Sequence, residues 1–282
     1  GYEKQWQVFC RVDEIGRKTN MSLAQVIKTE LYKNSRRKSS LMLFIPMLLA
    51  IVVTLGYAHG VIELNLITGD TGIYSCMDFV FIVWNVLSGL GIIGILLILF
   101  AAFQFSGEIE SGQIKLMLLR IGKRSTVVWG KYLAVIIATV VFIVGTILVC
   151  IGSYYLFVSG LPMGTGTFAS AMDGFSTINV LSSIALQMMM YLLLISITFF
   201  VGLFADPFVT FILTIVMMYA GNYLAGAENF VSRLFPNYWS NQIILNGTAS
   251  TIPVLTSVFV IVVLTVILMS VTTMFFGKQD IK

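Results

Sequence analysis

The sequence predicts an all-α polytopic membrane protein, and three observations carry that prediction. The 282-residue chain is 58% hydrophobic and only 11% charged, with a mean hydropathy of +0.94. Soluble domains run at roughly 45–50% apolar and about 25% charged. A water-soluble fold of this length has no interior large enough to hide the excess, so the bilayer must solvate most of it. Six apolar stretches approach or exceed the roughly 20 residues that cross a hydrocarbon core about 30 Å thick. The charge, finally, is gathered between these stretches instead of being spread along them.

The leader comes first. Residues 1–20 read as an extension, with Met21 able to serve as the natural start. Within 21–40, Ser22–Lys38 carries Leu23, Val26, Ile27 and Leu31 at helical spacing, with Lys28, Lys33 and Arg36 expected to turn away. Such a helix lies at a membrane interface, its apolar side in the acyl boundary and its cations near anionic lipid. The transmembrane domain fills 41–282, with spans expected at about Leu41–Tyr57, Phe79–Phe103, Val127–Val158, Asn179–Phe204, Pro207–Gly226 and Pro253–Phe276. The third is longer than a bilayer requires, so its start should project from the interface. Only Asp206-Pro207 separates the fourth from the fifth, which predicts a tight helical hairpin, because proline breaks helix geometry there.

Orientation follows from Lys and Arg. Nine lie in the leader, five in the segment from Phe105 to Tyr132 that follows span two and reaches the start of span three, and two in the tail, so 16 of the 17 fall on one side and Arg233 stands alone on the other. The positive-inside rule makes that side cytoplasmic. The expected location is therefore the cell (inner or plasma) membrane, with both termini cytoplasmic.

The segment after span two, 105–126, concentrates the charge. From Glu108 to Ile121 a helix places Ile114, Met117, Leu118 and Ile121 on one face, while Leu116 and Leu119 fall opposite, beside Lys115 and Arg120. One face can rest on the bundle. The other needs a second protein to cover it, since exposed apolar patches mark interaction sites.

Several function classes are excluded. No Asp, Glu, Lys, Arg or His sits in the middle of a span, which argues against ion-coupled transporters, selective channels and intramembrane proteases. Ser88-Gly89 has no histidine to activate it. Cys10, Cys76 and Cys150 are scattered, and His59 is the single histidine, so neither a disulfide framework nor a metal site follows. Neutral polar groups remain: Asn85, Ser88, Gln104, Asn179, Gln187, Ser196, Thr198, Thr210, Thr214, Tyr219 and Asn222. Such groups hydrogen-bond between helices, as Gly89, Gly91 and Gly94 let helices approach. Asn85, Gln187, Met188, Met217 and Asn222 are candidates to line a substrate pathway. GxxxxGK[ST] is absent: Gly122-Lys123-Arg124-Ser125 and Gly130-Lys131-Tyr132 lack the required neighbours. Uphill work would need a separate ATPase.

The string Glu110-Ser111-Gly112-Gln113-Ile114-Lys115-Leu116, continuing through Leu119-Arg120 to Gly130-Lys131-Tyr132-Leu133, resembles the segment after the second span in ABC-2-type transporter permeases. In that family an acidic residue and a Ser-Gly pair open a short cytoplasmic coupling helix, a basic residue ends it, and Gly-Lys begins the third span. The likeness extends over about Met21 to Lys282. It departs from the usual pattern at Gln113, where Thr is common, and at Ile121-Gly122, where Pro is common.

The resemblance implies a homo- or heterodimer of six-span subunits joined to two cytoplasmic ABC ATPase subunits. ATP and Mg would be bound by those partners, no cofactor by this chain, and no nucleic acid or enzymatic activity of its own is implied. Glu108, Glu110, Ser111, Gly112, Lys115, Leu116, Leu119 and Arg120 would contact the ATPase. The outer segment Glu228–Ile252 would form short re-entrant or interfacial helices capping the exit, with Phe230, Phe235, Tyr238 and Trp239 as gate candidates. The expected function is the permease subunit of a bacterial ABC exporter for an amphipathic or hydrophobic substrate: a peptide toxin, an antimicrobial peptide or a lipophilic drug, as in antibiotic resistance. Alternatives are a non-transporting scaffold, immunity or assembly factor, and a sodium-extruding permease. Asn246-Gly247-Thr248 matches a glycosylation acceptor and is read as chance.

Overall fold

The computed structural model describes residues 21–64, 74–170, 176–227, 229–246 and 251–278. The first twenty residues and Gly247-Thr248 lie outside them. Every named element among the described residues is helical.

Helix α1 (Leu23–Arg36) opens on a capping box: Gln25 N–H donates to Ser22 Oγ at 3.4 Å, and Ser22 N–H donates back to Gln25 Oε1 at 2.9 Å. A 3₁₀ turn (Lys38–Phe44) then leads into α2 (Ile45–Ala58), with Pro46 in the first turn, where its missing N–H costs nothing. The rest of the chain runs α3 (Cys76–Gly89), α4 (Ile92–Glu110), α5 (Gln113–Ile121), α6 (Arg124–Phe157), α7 (Thr177–Val201), α8 (Pro207–Gly226), a 3₁₀ turn (Ser232–Leu234), α9 (Pro236–Asn246) and α10 (Thr251–Lys278).

Among the described residues, six stretches are long and apolar enough to cross a membrane: Lys38–Ala58, Ile92–Glu110, Arg124–Phe157, Thr177–Val201, Pro207–Gly226 and Thr251–Lys278. The protein is a helical bundle of membrane-spanning type. The 34 residues of α6 are unbroken; at about 1.5 Å per residue they outreach the bilayer core. The tight α7–α8 hairpin is present, clasped where Ser106 Oγ (2.6 Å) and Thr210 Oγ1 (3.2 Å) donate to Ala205 O.

The second span departs from expectation. Instead of one helix over Phe79–Phe103, the chain forms α3 and α4 with a break at Leu90-Gly91. Gly91 has φ +74°, a left-handed conformation that disfavours any residue with a Cβ. The Ser88-Gly89-Leu90-Gly91 run makes a joint, not merely a close approach.

Helices α4 and α7 form the centre, with 61% of the apolar window of each buried, against 22% for α8 and 17% for α10. At the cation-rich end Phe105 stacks on Phe199 (centroids 4.4 Å apart) while Tyr132 meets Phe199 edge-on at 5.6 Å. There α4, α6 and α7 lock together. At the opposite end Tyr57 and Tyr154 flank Phe79 at 5.5 and 5.7 Å, and Tyr154 donates to Tyr74 O at 2.8 Å. Arg124 donates from Nη1 to Phe276 O (3.2 Å) and Gly277 O (3.0 Å), satisfying the last carbonyls of α10.

Candidate functional site

Three features at the cation-rich end belong together: a buried cluster of charges, a glycine-bracketed helix and two exposed leucines. On α4, Gln104, Phe105 and Glu108 share a face and are all buried, whereas Glu110 lies about 200° further round and is exposed. Glu108 thus points into the protein, away from the partner-facing position expected of it. Its Oε1 meets Lys33 Nζ at 2.6 Å and Arg37 Nη1 at 2.7 Å, and its Oε2 meets Lys131 Nζ. Glu30 Oε1 completes the cluster, 3.1 Å from Lys131 and 3.0 Å from Lys33.

The cluster explains how α1 is seated. Its buried face is Val26, Glu30 and Asn34, spaced by four, with Leu23 left exposed. Lys33, expected to turn away, leans inward to the two carboxylates. The apolar stripe alone does not set this rotation, because burying Glu30 and Glu108 without cations would be far costlier than exposing a leucine. Gly130 makes the approach possible. A Cβ there would collide with Val26 of α1, so the glycine of the Gly-Lys pair lets α1 press against α6 and seal Lys131 beneath it.

Arg37 also donates from Nη2 to Gln113 Oε1 at 2.7 Å and from Nη1 to Gln104 Oε1 at 3.2 Å. Gln113 is the first residue of α5, so this short helix is tied directly to the charge cluster. Gly112 (φ +70°) and Gly122 (φ +73°) bracket α5 and let the chain turn sharply at both ends. Ile114 and Ile121 are buried, Met117 and Leu118 pack on the core from its edge, and Leu116 and Leu119 project at 71% and 84% exposure. The two faces read from the sequence are therefore present. Lys115 is half-buried, and Glu110 and Ser111 are exposed beside the leucines; the side chain of Arg120 lies outside the described set.

A second feature lies where span two breaks. Asn85, Ser88, Gln187, Tyr191, Met217 and Asn222, among others, line a cavity of about 230 Å³, with Asn237 and Asn241 of α9 on its rim. Four of the five pathway candidates are gathered here. Met188 is not; it is partly buried and packs against the main core. Gln187 is the hub of the wall. Its Oε1 accepts from Trp84 Nε1 and Ser88 Oγ, both at 2.8 Å, and its Nε2 donates to Ser240 Oγ (3.0 Å) and Asn85 Oδ1 (3.3 Å). All four hydrogen-bonding positions of the amide are used. Ser88 Oγ and Tyr191 OH lie 2.9 Å apart, and Asn237 donates to Asn222 Oδ1 at 2.9 Å.

The four aromatic gate candidates do not converge. Phe230 is exposed, Phe235 packs beside Met190, Leu193 and Ile261, and Tyr238 is buried edge-on to Trp239 at 5.1 Å. Trp239 Nε1 donates to Arg233 O at 2.8 Å. What α9 contributes to the cavity is carboxamides, not rings. Nor do the described residues gather three or more His, Cys, Asp or Glu in a metal-binding group.

A family model described as "Protein of unknown function (DUF2705)" matches residues 49–282. The chain belongs to this family. The DUF2705 match takes in α5, the cavity, Glu108 and Lys131, whereas Glu30, Lys33 and Arg37 lie before its start. No curated protein matches the chain.

Proposed function

We propose that this chain is the membrane-spanning permease subunit of an ATP-driven exporter of ABC-2 type, with α5 as the cytoplasmic coupling helix. The observation that carries the proposal is the pair Leu116 and Leu119, held in water on a helix whose other face is buried. A leucine side chain gains about 1.5–3 kcal/mol on burial, so a two-leucine patch on a rigid mount suits a protein partner. Glu110, Ser111 and Lys115 flank it with hydrogen-bonding and charged groups. The ATPase would grip this helix, and the Arg37–Gln113 contact and the buried cluster would pass its motion to α1, α4 and α6.

The cavity is the substrate pathway in this reading. Its wall is neutral and mixes carboxamides with Met190, Met217 and Met218, a lining that accommodates amphipathic peptides or lipophilic drugs better than small ions. Methionine adapts its shape to varied apolar surfaces. The exposed faces of α8 and α10 provide room for a second permease subunit and for lipid, and 16 of 17 cations on one side orient the bundle with both termini cytoplasmic.

The test is the complex itself. The tagged chain, purified from its native membrane, should carry a polypeptide with an ATP-binding P-loop, identified by mass spectrometry, and the complex should hydrolyse ATP. Leu116→Asp and Glu110→Arg should each weaken that association, Leu116→Asp by about tenfold or more, with membrane insertion and thermal midpoint unchanged. An ATPase that binds both variants as well as the parent overturns the coupling assignment.

A further inference from the structure

A groove on the bilayer-facing side of the bundle has a polar mouth and an apolar depth. Asn34, Ser35 and Ser40 form one end, where α1 passes into the 3₁₀ turn; Met47, Phe100 and Val141 lie at the other, on α2, α4 and α6. Its volume is about 280 Å³. The three polar lining residues all lie on α1 and the 3₁₀ turn, beside Leu31, Leu43 and Phe44, at the cation-rich end from which α2 and α6 run away. Two polar atoms at the mouth are buried without a hydrogen-bond partner, Asn34 Oδ1 and Ser40 Oγ, and Asn34 is only 5% exposed. An unpartnered buried acceptor costs about 1–3 kcal/mol, so a ligand that supplies a donor would be favoured here.

Charge narrows the choice. Ser35 and Ser40 line the groove from the two ends of a six-residue stretch that also carries Arg36 and Lys38, both exposed. Arg37, between them, is engaged with Glu108 and Gln113. Two exposed cations therefore lie in the stretch that borders the mouth, Lys38 and Arg36, the latter with its guanidinium 5.6 Å from the centre of the Tyr32 ring, and exposed apolar residues such as Leu48, Val141 and Leu148 lie on the same helices.

We propose that this groove binds one anionic phospholipid with a hydroxyl-bearing headgroup, its acyl chain lying between Met47, Phe100 and Val141. A headgroup hydroxyl donates to Asn34 Oδ1, Ser40 Oγ–H donates to a phosphate or ester oxygen, and Arg36 and Lys38 hold the phosphate. The lipid would brace α1 against α6 from the side opposite the charge cluster. This inference stands on the membrane-spanning fold alone and does not require an ATPase partner.

The experiment uses the full chain, with any co-purifying partner, in nanodiscs containing a phosphatidylglycerol that bears a diazirine in its acyl chain. After irradiation, mass spectrometry should find adducts around Met47, Phe100 and Phe142 well above those on the control face of α10 around Phe259. The phosphatidylcholine analogue should label the groove less by on the order of tenfold, since each surface cation favours anionic lipid by about 1 kcal/mol. Ala138→Trp, which fills the groove, should bring labelling down to the control level. Asn34→Leu, which removes the orphan carbonyl without adding bulk, should fold normally yet lose several-fold of the phosphatidylglycerol labelling. Equal labelling by the two lipids, or labelling no higher than on α10, would overturn the proposal.

Discussion

At the cation-rich end, five charged side chains meet beneath α1, and each finds an opposite charge within about 3 Å. At the break in span two, the polar groups are more numerous, but all are neutral amides and hydroxyls around a cavity. The difference has mechanical consequences. Separating buried charges strands them at a cost of several kcal/mol, so α1, α4 and α6 move as one body. A neutral amide that loses one hydrogen bond forfeits only about 0.5–1.5 kcal/mol when water or ligand can replace the partner. The walls of the cavity, α3, α7, α8 and α9, are thus cheap to part, and the α3–α4 joint at Gly91 lies among them. One end is built to stay rigid and the other to rearrange; under the proposed exporter function, these would transmit force and adapt to cargo.

Substitutions can break that contrast, beginning with the largest expected effect. Lys131→Met leaves Glu30 and Glu108 facing each other with Lys33 and Arg37 alone. It should destabilise the protein by about 3–5 kcal/mol, read as a lowered thermal midpoint in detergent, and Glu30→Gln added to it should recover part of the loss. Gly130→Leu drives a side chain into Val26. Overpacking of this kind costs about 1–3 kcal/mol, and here it should appear as protease sensitivity within α1 while the remaining helices stay resistant. At the cavity, Gln187→Leu strands Trp84 Nε1 and Ser240 Oγ, a loss of about 1–3 kcal/mol; transport should suffer more than folding. If Gln187→Leu unfolds the bundle as severely as Lys131→Met, the proposed division between rigid and adaptable ends fails. Leu119→Ser should have the smallest effect on stability, within about 0.5 kcal/mol, because the side chain is already in water.

Much of this architecture is legible in the sequence, and the exceptions share a cause. The hairpin at Asp206-Pro207, the two faces of α5 and the gathering of Asn85, Gln187, Met217 and Asn222 all follow from local periodicity or from the scarcity of polar groups in apolar runs. The charge cluster does not. Glu30 and Lys131 are 101 positions apart, and within its own helix each reads as an ordinary charge on a solvated face. Their pairing sets which face of α1 meets the bundle, and local periodicity alone gives neither that nor the inward course of Lys33 and Glu108. A signal was present: Glu30 lies four residues from Val26 and from Asn34, on a stripe that includes no cation. Gly91 was similarly visible among three glycines within six residues of span two, but spacing alone does not separate a glycine that admits a neighbour from one that turns the backbone. Residue type alone groups Phe230, Phe235, Tyr238 and Trp239, whereas the chain disperses them to satisfy separate contacts.

The most direct test places a single reporter on the exposed helix. In a background with Cys10→Ser, Cys76→Ala and Cys150→Ala, Leu119→Cys should resist a membrane-impermeant maleimide added outside intact cells and react in inverted vesicles. Phe230→Cys should do the reverse. In the vesicles, the proposed ATPase partner should protect Leu119→Cys, and stripping peripheral proteins should restore the reaction. Labelling of Leu119→Cys from outside intact cells, or reactivity indifferent to the ATPase, would contradict the account.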